Sequence, residues 1–186
     1  VDKIGQIPEL QLLVVGEPSD GDIRHQIYQK SHKNKNAHFI DSFAGPELQH
    51  MVLAASDAML QPSKWEPCGY VQLEGMAYGA IPIVTNLGGH KDTVVAFDEK
   101  SRGYGILIEE PTAERIFQGI SHARELFSNR ETWEGIVMNA VAQDFTWSGK
   151  RDSVGKYIEL YEQAAEIRNG DNPEKAVSSA KRISTK

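Results

Sequence analysis

"AMLQPSKWEPCGYVQLEGMAYGAIPIVT", residues 58–85, changes character three times along its length. Residues 58–60 are a short apolar run, and 61–69 hold two prolines, a glycine and most of the polar groups. Residues 71–78 have helical character, and 81–85 form an uncharged run with β-branched side chains. The order is strand, loop, helix, strand. Two parallel strands cannot be joined by a tight turn, so a helix between them marks a parallel crossover unit.

The same alternation extends to both sides. Further apolar runs lie at 10–15, 38–40 and 104–108, and helical stretches at 22–30 and 46–55. Four of the five runs carry few charges, which predicts strands covered on both faces, as in the interior of a parallel sheet. The fold class expected is α/β, a Rossmann-like parallel sheet with helices on both faces and short crossovers. After residue 108 the pattern turns helical. Ile116, Ile120, Ala123 and Phe127 share one face of a helix. Further helices are expected over 130–143 and, after "DFTW", 152–167. Residues 169–186 are polar and lack an apolar period. The organisation expected is therefore one domain over 1–168 and a flexible tail over 169–186. The first seven residues read as the end of a helix whose beginning lies upstream.

The composition excludes several classes. The chain has 186 residues, 40% hydrophobic and 25% charged, with a formal net charge of −6. Its lysines and arginines are scattered, so no basic stripe for nucleic acid is expected. No apolar run approaches the roughly 20 residues that span a bilayer, so no membrane partner is expected. One cysteine makes no internal disulfide, and the start has neither the charge nor the apolar centre of a signal peptide. His25, His32, His38, His50, His90 and His122 show no metal-ligand spacing, so no metal and no cofactor are expected.

The chemistry concentrates in the loop after residue 60. In open α/β sheets ligands bind at the carboxyl edge of the strands, and the unpaired amides of a following helix attract anions. Gly69 lets a ligand approach the backbone. Glu66 in the loop and Glu74 in the helix can accept hydrogen bonds from vicinal hydroxyls, a pair suited to a sugar at one end and a ribose at the other. Spacing alone favours the plainer reading, Glu66 as a helix cap and Glu74 as a solvated helical residue. Cys68 with His90 allows a nucleophile and base, against a small residue packed in the loop. Trp65 and Trp147 suit a sugar platform or the core, and His50 suits packing or a bond within a helix.

The block "EPCGYVQLEGMAYGAIPIVTNLGGHKDTV" resembles the signature of retaining GT-B glycosyltransferases. In particular it is similar to the bacterial glycogen and plant starch synthases, whose motif runs E-P-C-G-L-x-Q-L, Y-G-x-x-P-(IV)-V and T-G-G-L-x-D-(TS)-V. "LQHMVLAASDAMLQPS" before it, with "NAVAQDFTW" and "YIELY" after it, extend the match over about residues 9–165. The resemblance implies the C-terminal, donor-binding half of a GT-B fold. It implies transfer of glucose from ADP-glucose or UDP-glucose to the non-reducing end of an α-1,4-glucan. The partners implied are the nucleotide-sugar donor, the glucan acceptor and an N-terminal GT-B domain that this stretch does not include. The compartment implied is the cytoplasm or a plastid stroma. Residues 144–167 resemble the segment that crosses back to the N-terminal domain.

Matched position by position, the resemblance makes Glu66 the catalytic carboxylate that meets the donor glucose hydroxyls near its reactive carbon. The backbone around Cys68, Gly69 and Tyr70 meets the same sugar and the diphosphate. Gly16 corresponds to a turn that lets the nucleotide approach. Phe43 falls where the family has a tyrosine stacked on the base, although ordinary packing at a strand end accounts for it equally. Glycogen synthases carry tyrosine where this chain has Glu74. Broader retaining relatives such as the sucrose-phosphate synthases have glutamate there, bonded to the ribose. Val71 replaces a usual threonine, and "NLGGH" replaces "RTGGL". These departures leave room for a sucrose-phosphate-synthase-like enzyme, or for a non-catalytic module that binds a nucleotide sugar or glucan.

Overall fold

A computed structural model of the chain describes residues 1–7, 9–42, 45–98, 100, 102–148 and 153–168. The strands are β1 (Leu12–Gly16), β2 (Ala37–Asp41), β3 (Ala58–Gln61), β4 (Ile81–Thr85) and β5 (Ile106–Ile108). The helices are α1 (Gly21–Lys33), α2 (Pro46–Ala54), α3 (Val71–Ala77), α4 (Gly88–Thr93), α5 (Ala113–Phe127), α6 (Arg130–Val141) and α7 (Ser153–Arg168). All strand pairs are parallel, and each crossover from β1 to β4 runs through one helix. This is the predicted α/β class.

Local chemistry sets the helix ends. The Asp20 carboxylate accepts from the amides of Asp22 and Ile23, which starts α1 one residue before the apolar pattern does. Pro46 opens α2 at a position where its missing N–H costs nothing. Thr112 and Asn129 cap α5 and α6 through their side-chain oxygens.

The strands form two groups, β1–β2 and β3–β4–β5. In the second, successive side chains alternate between two cores. Met59 and Val84 meet Ala80 and Val94 on one face, and Ile83, Ile106 and Ile108 meet Ala123 of α5 on the other. β4 is buried at every position, as predicted. β1 and β2 are not: Leu13 is 42% exposed, and most of the other residues are half-buried. The charge-poor pattern predicts interior strands there. Among the described residues β1 has a neighbour on one edge only, and no helix buries it comparably.

The described residues fall into two compact units divided after Gln143. The second holds α7, where Trp147 stacks on Tyr157 with ring centroids 5.5 Å apart. Residues 169–186, read from the sequence as a tail, lie outside the described residues.

Candidate functional site

The loop between β3 and α3 is held to β4 and α4 by a set of polar contacts. The Thr85 hydroxyl donates to the Ser63 carbonyl at 2.7 Å. The Gly89 amide donates to the Glu66 carbonyl at 2.9 Å. The buried Gln72 amide group donates to the Cys68 carbonyl at 2.9 Å and to the Thr93 hydroxyl at 3.2 Å. Thr93 in turn donates to the Gly89 carbonyl at 2.6 Å. Sequence places these groups on four separate segments; the fold makes them one framework.

Three glycines allow the approach. Gly69 has φ +74°, a left-handed conformation that turns the loop into α3. At Gly88 and Gly89 a Cβ would collide with the carbonyl oxygens of Glu66 and Cys68. The α4 backbone therefore touches the loop backbone directly, which no larger residue permits.

This framework aims the Glu66 side chain. Its Oε2 accepts from the Gln61 amide group at 3.2 Å and from the Ser63 hydroxyl at 3.2 Å. His90 Nε2 faces the same oxygen at 4.0 Å. The side chain is 16% exposed, so one oxygen is engaged by the protein while the carboxylate still reaches solvent. Glu66 caps no helix: Tyr70 is the N-cap of α3 and makes no side-chain cap bond. Glu74 lies in the first turn of α3, half-buried rather than solvated, and its Oε2 accepts from the Gln49 amide group of α2. A second polar contact, between His50 Nδ1 and the Tyr78 hydroxyl at 2.8 Å, ties the same two helices.

The remaining sequence candidates are dispersed. Cys68 and Tyr70 are exposed on the loop, Tyr70 at 73%. Among the described residues no base bonds to Cys68, whose Sγ approaches the Gly69 carbonyl at 3.9 Å, while the buried His90 turns toward Glu66. Gly16 ends β1 beside Asp41 in the two-stranded group, and nothing would meet a side chain there. Phe43 lies outside the described residues. Trp65 and Trp147 are 77% and 64% exposed, so neither fills the core. Among the described residues there is no cluster of metal-ligating side chains. None of the described helices is long and apolar enough to cross a membrane.

Sequence reasoning missed α4 and the supporting roles of Gln61, Ser63, Gln72, Thr85 and His90. The paired glycines at 88–89 were the available signal, because adjacent glycines mark a place where two backbones meet.

His90 is the unusual member. Its ring is fully buried, and among the described residues neither nitrogen has a hydrogen-bond partner of good geometry. Burial holds its pKa below the usual histidine value, against an opposing pull from the Glu66 carboxylate and the Thr85 backbone.

Comparison with known proteins bears on this arrangement. Residues 1–136 match the family of glycosyl transferases group 1. Glycogen synthase 2 of Geobacter metallireducens is 36% identical over 166 residues, 87% of this chain and 33% of that protein. A glycogen synthase of Anoxybacillus flavithermus is 38% identical over 118 residues, 63% of this chain and 24% of that protein. The chain thus spans a quarter to a third of the length of these curated relatives. Among solved structures, the catalytic domain of starch synthase IV from Arabidopsis thaliana, bound to ADP and acarbose, superposes with a TM-score of 0.75 at 24% identity. The superposition covers 88% of this chain and 36% of that one. Sucrose-phosphate synthase from Thermosynechococcus elongatus gives 0.66 at 24% identity, covering 88% and 40%. These likenesses give the fold, an α/β domain similar to the GT-B domain of starch synthase. The match over residues 1–136, together with relatives named glycogen synthase, shows that the chain belongs to the glycosyl transferases of group 1.

Proposed function

We propose that the chain is the donor-binding part of a retaining glucosyltransferase of the glycogen and starch synthase kind. It would bind ADP-glucose or UDP-glucose and, with an N-terminal domain, pass glucose to the non-reducing end of an α-1,4-glucan. The observation that carries this reading is the asymmetry of Glu66: among the described residues its side-chain hydrogen bonds and its approach to His90 all fall on Oε2, which leaves Oε1 for a ligand hydroxyl. A carboxylate held in this way does not reorganise when the sugar develops positive charge, the condition under which electrostatic stabilisation is most effective. The uncapped first turn of α3 lies beside it, with Cys68, Gly69 and Tyr70 leading in, and suits the diphosphate. Glu74 would take the ribose, and Gly16 and Phe43 the nucleotide side.

Support for the donor class comes from the glycogen synthases among the relatives and from the ADP in the Arabidopsis starch synthase structure. The same bacterial relatives support a cytoplasmic setting. One observation favours a second reading: Glu74, where glycogen synthases resemble one another in having tyrosine, agrees with the sucrose-phosphate synthases, and one of these is a structural neighbour.

Calorimetry with ADP-glucose, UDP-glucose and maltooligosaccharides, on the wild type and Glu66→Ala, tests the proposal. Binding of a glucose nucleotide that weakens about tenfold or more in the variant is the expected result, as for loss of hydrogen bonds to a charged group. Glucan binding indifferent to Glu66, with no nucleotide binding, would overturn it in favour of a glucan-binding module.

A further inference from the structure

Buried polar groups are almost always hydrogen-bonded, and an exception asks for an explanation. His90 is such an exception, with no exposure, two ring nitrogens without a good partner among the described residues and a carboxylate oxygen 4.0 Å from Nε2. Its place is built rather than incidental. Gly88 and Gly89 bring the start of α4 against the loop, and the Gly89 amide grips the Glu66 carbonyl, so the ring is presented to the side chain of the residue whose backbone its own helix holds. Glu66 faces the ring from the loop, and Lys91 and Asp92 on its own helix are exposed; Thr85 of β4 and Gln72 of α3 are uncharged.

We propose that His90 is a positioning residue for Glu66: its neutral, buried ring backs Oε2, which Gln61 and Ser63 hold by hydrogen bonds, and its protonation draws the carboxylate inward and switches the site off. In the neutral ring no hydrogen bond joins Nε2 to Oε2 across 4.0 Å, and the carboxylate stays on Gln61 and Ser63. In the charged ring, the cation in a site of low dielectric pulls the whole carboxylate toward itself, and the ligand hydroxyl loses its acceptor. Burial favours the neutral form, so the working state holds at neutral pH and fails on acidification. This inference rests on the reading of Glu66 as the sugar-binding carboxylate, but its first half is independent of any ligand.

The test has two arms on the same 186-residue chain. The first follows the ring nitrogens of His90 by NMR through a pH titration, in the wild type and in Glu66→Gln. Loss of the carboxylate should move the His90 midpoint to lower pH; an unchanged midpoint would overturn the coupling. The second measures ADP-glucose and UDP-glucose affinity against pH in the wild type, His90→Gln and His90→Leu. Glutamine keeps a polar side chain of similar reach without titrating, so it should retain neutral-pH affinity within about threefold and lose the acidic fall. Leucine, which fills the space without titrating, should lose the acidic fall as well. An acidic fall in His90→Gln equal to that of the wild type would refute the switch. Absence of nucleotide binding in the wild type would refute the proposed function instead, while the NMR arm still decides the coupling.

Discussion

The hydroxyl of Thr85, the last residue of β4, donates to the Ser63 carbonyl at 2.7 Å. The most buried strand of the domain thereby fixes the entry of the loop that carries Glu66. Thr85→Val keeps the shape and removes the bond, at a cost of about 1–2 kcal/mol. Urea unfolding should register that loss, and the affinity for the glucose nucleotides should fall with it, because the Ser63 donor to Glu66 is loosened.

Gly89→Ala should be worse. The new methyl meets the Cys68 carbonyl, a backbone group that cannot swing aside. Overpacking of this kind costs about 1–3 kcal/mol. A thermal melt should show the destabilisation, and calorimetry should show nucleotide binding abolished rather than weakened. Near-wild-type affinity in this variant would mean that α4 does not shape the site.

Glu74 is tied to Gln49 of α2, and the proposal gives it the ribose. Glu74→Ala should weaken ADP binding by about tenfold, as loss of a charge-assisted hydrogen bond does. A nucleotide without ribose hydroxyls should bind the wild type and the variant alike. Equal weakening for both nucleotides would assign Glu74 a purely structural role.

Stability should depend on pH through His90. Its folded-state pKa lies below the unfolded value of 6.5, so the unfolded chain takes up the proton first. The stabilisation is complete above that value and is lost as the pH falls through it toward the folded pKa. Denaturant midpoints of the wild type should therefore drop more than those of His90→Gln between about pH 7.5 and pH 5. Identical slopes would show that the ring titrates without constraint.

The 186-residue chain should bind a donor yet transfer no glucose. The proposal needs an N-terminal domain outside it for transfer to the glucan, and the chain spans only 33% of one relative and 24% of another. Glucosyl transfer by the purified chain to a maltooligosaccharide, followed with labelled ADP-glucose and UDP-glucose, is the check. Turnover would contradict this division of labour.

The class of the fold was legible because its signals are local. Uncharged β-branched runs and single-face apolar helices are written in adjacent residues, and β3, α3 and β4 fall where the pattern puts them. Glu66 stood out for a similar reason, as an acid beside two prolines and a glycine in a loop after a strand. What holds Glu66 was not legible. Gln61 and Ser63 are near neighbours whose side chains carry no motif signal, and His90 arrives only after β3 and β4 pair, which no spacing encodes. α4 is six residues long and opens with two glycines, which propensity reads as a turn. The exposure of β1 was also hidden, since an apolar strand looks the same whether one edge is covered or two.

The grouping of strands into β1–β2 and β3–β4–β5 has a consequence for motion. Amides of β4, enclosed on both faces, should exchange with solvent only when the whole unit unfolds. Those of β1 and β2, half-exposed, should exchange through smaller openings. Glu66 is thus anchored to the slow half, and Gly16 belongs to the fast one. A nucleotide sugar would meet a rigid seat for its glucose and a breathing wall for its base, and occupancy should register first as slowed exchange along residues 12–16.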